Sequence, residues 1–233
     1  MINQKNIQLY DKKGYIVIKN FLKKKEKKDF SLELFKIYSK ILKKEINSKN
    51  IHKIISNYEK QKKYDELYSA FRKYCKNKSF KKFSKRLRLL AKKIHKNKKF
   101  KVVNTGMAIG IKDSTRTAYK WHQEKPYYKN IETIHFQFPA YGICNKKNGT
   151  MSVMEGSHNI GFEKKLRNIK LHKKSINSFV PKNINKLKKK FTERSVILKE
   201  RDLVVFNQCL IHKTNSNKSN KIRFAANLRL KIY

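Results

Sequence analysis

The sequence predicts a mainly β fold with α-helices, in which a helix-rich N-terminal part precedes a β sandwich or barrel. Two patterns carry this expectation. From Lys101 onward, short segments rich in β-branched and aromatic residues are separated by closely spaced turn signals. Between Lys25 and Lys99 there is neither proline nor glycine, and apolar residues recur at helical spacing instead. With 233 residues, 39% hydrophobic and 12% aromatic, the chain can bury a sizeable core despite its charge. We expect one domain over 1–233, with the helix-rich 1–100 packing on strands from 101–233.

In chain order, Gly14 marks a turn, and the YIVI run after it reads as a buried strand. The helical region shows stripes at Phe30, Leu34, Ile37, Ile41 and Leu42, then Ile51, Ile54, Ile55 and Tyr58. Further stripes are Leu67, Phe71 and Tyr74, then Phe83, Leu87, Leu90 and Ile94. They predict three or four amphipathic helices with lysine on the wet face. His52 and His95 fall within them and are expected to be structural or solvated. Strands are expected in KVVNTGMAIGI, TAYKWHQE, ETIHFQFPAYGI, TMSVMEG, RSVILKE, DLVVFNQCLIH and IRFAANLRLKI. Asn148-Gly149 is a strong turn signal. Residues 161–190, rich in Lys and Asn, are expected to form a surface excursion carrying a solvated His172.

The formal charge of +44 invites a nucleic-acid reading, because Lys and Arg neutralise phosphates. Only nine of the 60 basic residues are arginines, and lysine runs through the whole chain with Asn and Ile. That is a compositional bias rather than a patch, and base readout favours the scarce Arg. No specific nucleic-acid partner is expected, although an anionic substrate or acidic partner suits the charge. The three cysteines, Cys75, Cys144 and Cys209, show no CxxC spacing and fit a reducing, cytoplasmic setting. No apolar leader and no 18-residue apolar run is present, so neither a signal peptide nor a membrane span is expected.

Chemistry concentrates in YKWHQEKPYY, residues 119–128. In an extended segment His122 and Glu124 project to the same side. An imidazole and a carboxylate are two of the three ligands of a facial iron site. His212, at the end of an apolar strand 90 residues on, is a candidate third ligand. Arg223 lies 11 residues beyond it, after the polar loop KTNSNKSNK, where a hairpin returns a guanidinium suited to a carboxylate.

These segments, with YDKKGYIVIKNFL near the start, NGTMSVMEGSHNIGF and HKTNSNKSNKIRFAANLRL, resemble the phytanoyl-CoA dioxygenase family of iron(II)/2-oxoglutarate oxygenases over nearly the whole chain. The resemblance implies a double-stranded β-helix, a jelly-roll or cupin-like barrel buttressed by the N-terminal helices. It implies Fe(II) on His122, Glu124 and His212, with 2-oxoglutarate and dioxygen as co-substrates. Arg223 would take the distal carboxylate of 2-oxoglutarate, with Thr214 nearby, Gln123 in contact and Met107 lining the same pocket. Tyr127 is expected at the substrate entrance, with Tyr128 beside it, and Phe138 near a position where the family often has tryptophan.

The implied reaction decarboxylates 2-oxoglutarate to succinate and hydroxylates a small-molecule metabolite (an acyl, amino-acid or sugar derivative, carrier-bound or anionic). Two departures stand out. The carboxylate is Glu124 where the family usually has aspartate, and Glu155 replaces the proline of its PGSH segment. A retained carboxylate argues against halogenation, since related halogenases have a small residue there. His158 matches a family position that is not a ligand and is expected to shape a loop or pocket. His135 lies in a strand as either a core or a pocket residue, with the structural role favoured. A non-catalytic β-helix binding protein and a basic nucleic-acid-binding protein are the competing classes.

Overall fold

The computed structural model describes residues 2–96, 98–170 and 178–233. His172 lies outside the described residues. Helices hold more of the described chain than strands, so the fold is a mixed α and β architecture rather than a mainly β one.

Helix α1 (Gln4–Lys13) precedes the first strand, β1 (Tyr15–Ile18). Asn3 and Asn6 cap its start reciprocally, each side chain accepting from the other's backbone N–H, and Gly14 ends it at φ 79°. Four amphipathic helices follow: α2 (Lys24–Leu42), α3 (Ile51–Lys60), α4 (Tyr64–Cys75) and α5 (Lys78–Ile94). Their buried residues follow the expected stripes, including Phe30, Leu34, Ile51, Ile55, Leu67, Phe83 and Leu87.

The long strand β2 (Phe100–Gly110) then opens the sheet region. The segment TAYKWHQE forms no strand. It is an irregular crossing with one isolated bridge, His122 to His212, and it runs into the single turn α6 (Lys125–Tyr128), which has Pro126 near its start. Next come β3 (Thr133–Tyr141) and β4 (Met151–Met154), with Gly149 at φ 77° in the turn between them. The excursion is more ordered than its composition suggests. It carries the hairpin strands β5 (Leu166–Ile169) and β6 (Ser178–Pro181) and the helix α7 (Ile184–Lys190). Val180, Ile184 and Leu187 bury against Trp121, Met154 and Ile211. Strands β7 (Glu193–Ser195), β8 (Leu203–Asn207), β9 (His212–Thr214) and β10 (Arg223–Ile232) complete the chain.

All strand pairing is antiparallel. A five-stranded sheet has the order β1-β8-β3-β10-β2, and a three-stranded sheet the order β7-β4-β9. The two sheets share an apolar core in which Val204, Phe206 and Ala225 meet Met151 and Val153. Among the described residues no ladder closes them into one barrel.

The other face of the large sheet carries the helices, through a core that includes Phe136, Phe138, Phe224, Ala226 and Leu228. Here the period of two decides function. On β3, Ile134, Phe136 and Phe138 face the helices, leaving Thr133, His135 and Gln137 on the opposite side. Phe138, expected near the substrate, is buried in the core on the helix side. Its ring sits 4.8 Å from Phe30 and 5.0 Å from Phe83 in the helical core. Phe138→Ala is expected to destabilise the protein by about 3–5 kcal/mol in urea unfolding, while leaving metal binding unchanged.

Candidate metal centre and its cavity

Both histidines reach the site from backbone that is already paired. The His122 N–H donates to the His212 carbonyl and the His212 N–H to the His122 carbonyl, each at 2.9 Å. This double bond joins residues distant in sequence, and it sets both imidazoles on the same side. His122 Nδ1 lies 2.6 Å from the Lys120 carbonyl, and His212 Nδ1 lies 2.9 Å from the Leu210 carbonyl. A carbonyl can only accept, so each Nδ1 carries the proton, which leaves the Nε2 lone pairs facing inward. Burial pushes the His122 pKa down to about 4, and the neighbouring His212 adds to the effect, so His122 is neutral at neutral pH.

Glu124 enters two residues after His122. Its N–H donates to the Gln208 carbonyl at 2.9 Å, and the next residue, Lys125, donates to the same carbonyl at 3.2 Å. Glu124 Oε1 stands 3.5 Å from His212 Nε2 and 4.0 Å from His122 Nε2. The three donor atoms lie within 4.8 Å of one another, and all three residues are buried. Two imidazole nitrogens and one carboxylate on one side, with a cavity on the other, match a 2-His-1-carboxylate centre with open positions. Burial alone would push the Glu124 pKa up. The Arg229 guanidinium beside it, together with His135 and His212, holds the carboxyl well below the usual carboxylate range. Burial pushes His135 down to about 3, and among the groups that lower the Glu124 pKa the Arg229 guanidinium is the largest influence.

The cavity has a volume of about 530 Å³. Its walls include all three ligands, Tyr119, Tyr127, Tyr128 and Thr214, with Phe71, Arg72 and Cys75 of α4 on the far side. Tyr127 packs edge-on to His122 at 6.0 Å and against Phe179 at 5.1 Å, between the ligands and the excursion. Met107 borders the cavity but belongs to the core on the helix side.

Gln123 is not a cavity residue. With His122 and Glu124 facing in, its side chain faces out, and its amide is occupied by backbone. Nε2 donates to the Gly161 carbonyl at 2.8 Å and to the Cys209 carbonyl at 2.7 Å, while Oε1 accepts from the Glu163 N–H at 2.9 Å. It ties the excursion to the ligand segment, where a co-substrate contact was expected.

Arg223 begins β10 and lies beside the cavity rather than on its wall. It is 2% exposed, and none of its three guanidinium nitrogens has a hydrogen-bond partner among the described residues. A buried, unpaired cation is costly, and a buried polar group ordinarily finds a partner. Room for it comes from Gly110, where a Cβ would fall 3.3 Å from the guanidinium carbon. Its approach is fixed by His52 Nδ1, which accepts the N–H of the adjacent Ile222 at 3.0 Å. His52 is thus structural, as expected.

His158 Nε2 meets the Asp11 carbonyl at 2.9 Å and anchors its loop to α1. Glu155 in the same loop pairs with Lys13 at 2.5 Å. His135, whose strand allows a core or a pocket place, lines the cavity, with Nδ1 3.8 Å from Glu124 Oε2. Arg229 also reaches the site unannounced, with Nη2 3.4 Å from Glu124 Oε1. Strand parity would have found both. Arg229 lies an even number of residues beyond Arg223 on one strand, and His135 alternates with apolar neighbours on another.

The model of the family described as phytanoyl-CoA dioxygenase matches residues 10–225. The chain belongs to the phytanoyl-CoA dioxygenase family. A sequence comparison with curated proteins gives no match. Among solved structures this family member is similar to EctD from S. alaskensis in its apo form, with TM-score 0.68 and 13% identity over 99% of this chain and 77% of that one. It is also similar to SnoK, a non-heme α-ketoglutarate-dependent carbocyclase from nogalamycin biosynthesis, with TM-score 0.65 and 11% identity over 99% and 84%. The epimerase SnoN, in complex with Fe3+, α-ketoglutarate and nogalamycin RO, gives TM-score 0.66 and 10% identity over 98% and 82%.

Proposed function

We propose that this chain is an iron(II)- and 2-oxoglutarate-dependent dioxygenase that hydroxylates a small-molecule metabolite. The observation that carries it is the buried His122–Glu124–His212 cluster together with the guanidinium of Arg223, unpaired among the described residues. His122 and His212 would hold the metal through Nε2 and Glu124 through Oε1. Arg223 would take the distal carboxylate of 2-oxoglutarate in charge-assisted bonds, with Thr214 on the cavity wall beside the ligand His212. When bound, iron(II) supplies the dioxygen activation that couples 2-oxoglutarate decarboxylation to substrate oxidation. Tyr127 and Tyr128 shape the entrance and limit water around the ligands. The strands form a double-stranded β-helix in this reading, and 1–233 form one domain with the helices of 1–100 as its support. The setting is cytoplasmic and reducing, where Cys75, Cys144 and Cys209 remain thiols. Among the described residues no helix is long and apolar enough to cross a membrane.

Purified protein given Fe(II), ascorbate and 2-oxoglutarate is expected to form succinate slowly even without a prime substrate. No succinate above a metal-free control removes the enzymatic reading and leaves a binding protein. With a turned-over substrate, incorporation of one oxygen atom from labelled dioxygen separates hydroxylation from ring closure or epimerisation. Steeply salt-dependent binding to DNA or RNA, with preference over heparin, would favour the nucleic-acid class instead, whereas equal binding to heparin would reduce it to bulk charge.

A further inference from the structure

Resting on the metal-centre reading, we propose that Arg229 is a positioning residue for the carboxylate ligand, and that it fits this site to glutamate rather than to aspartate. Arg229 sits 3.4 Å from Glu124 Oε1, the same oxygen that faces both ligand histidines. His135, its partner across the β10–β3 ladder, faces the other oxygen, Oε2, at 3.8 Å. The carboxylate is thus met at both oxygens, and Glu124 and Arg229 are each other's only carboxylate–guanidinium partner among the described residues.

The strands are shaped around this guanidinium. The β10–β2 register shifts between Arg229 and Leu230, where Arg229 opposes Asn104 and Leu230 opposes Val102. Such a bulge re-aims a side chain. On β2, Gly106 clears the path, since a Cβ there would stand 3.3 Å from an Arg229 Nη. Aspartate at position 124 would draw the carboxylate back by about 1.5 Å, one carbon–carbon bond. It would then no longer span from the histidine pair to Arg229. The extra methylene of glutamate and the arginine behind it are one device. Outer partners of metal ligands tune affinity through orientation, and here the outer partner holds the ligand oxygen that faces both histidines.

The test is Co(II) titration of the full chain, followed by the cobalt ligand-field spectrum, without 2-oxoglutarate. R229Q is expected to weaken Co(II) binding about 10- to 100-fold and to alter the spectrum, and R229K to recover part of the loss. E124D is expected to bind more weakly than wild type, and adding R229Q to E124D to cost little more, because the two changes break one contact. Wild-type affinity in R229Q, or equal or tighter binding by E124D, overturns the proposal. If R229Q does not fold, G106V gives the decision by crowding the guanidinium tip: weaker binding supports the role and unchanged binding overturns it. H212A separates the two levels. Loss of Co(II) in H212A with retention in R229Q overturns the positioning role alone, whereas retention in H212A overturns the metal centre itself.

Discussion

His212→Ala is expected to abolish Fe(II)-dependent succinate formation and to weaken metal binding by more than about 100-fold, beyond the range set by outer-shell partners alone. His122→Ala should behave alike. The fold should survive both changes, because what joins the two segments is main chain, the reciprocal 2.9 Å bonds between positions 122 and 212, which alanine retains. Isothermal titration with Fe(II) under anaerobic conditions, with circular dichroism as a folding control, checks the result. A folded His212→Ala protein that binds and turns over normally would remove this histidine from the ligand set.

Arg223→Leu is expected to move stability and binding in opposite directions. In the absence of co-substrate the guanidinium is buried with no hydrogen-bond partner among the described residues, so replacing it by an apolar side chain removes a desolvation cost. The variant should melt at the same temperature as wild type or higher. Its affinity for 2-oxoglutarate should fall by about 100-fold or more, since two charge-assisted hydrogen bonds contribute about 3 kcal/mol or more. Wild-type protein at 100 times Kd of 2-oxoglutarate gains about 2.7 kcal/mol of stability, and the variant should gain almost none of it. A preserved 2-oxoglutarate shift in Arg223→Leu would place the anchor elsewhere, with Arg229 or Arg72 on the cavity wall as the next candidates.

Most of the architecture was legible because it rests on periodicity. The four helices between residues 24 and 94 follow their apolar stripes, and β2, β3, β8 and β10 follow their β-branched and aromatic runs. The cluster of His122, Glu124 and His212 was legible as a motif, and the structure brings their ligand atoms within 4.8 Å of one another. What was not legible depended on which way single side chains face. Phe138 and Gln123 were assigned from motif position, and their side chains go one into the helices and one onto the Gly161 and Cys209 carbonyls. Arg229 escaped because no motif names it, and His135 was placed in its strand without its place on the cavity being settled, although the alternation of TIHFQF and RFAANLR contains both. The helix α1 was overlooked because its cap is an Asn pair rather than the Ser/Thr and Glu/Gln signature. The TAYKWHQE strand was over-read, since one bridge holds a segment that Pro126 soon turns into a helix.

The bridge between positions 122 and 212 also bears on how this protein comes to life in a cell. Main-chain pairing alone joins the two ligand-bearing segments, so a chain deprived of iron is expected to keep its ligands facing one another, which circular dichroism of the metal-free protein would check. Iron then becomes a late and reversible addition, unlike the metal of a zinc finger, whose binding is its folding. Starvation for the metal would silence such a protein without sending it to proteolysis, and resupply would restore it without new synthesis.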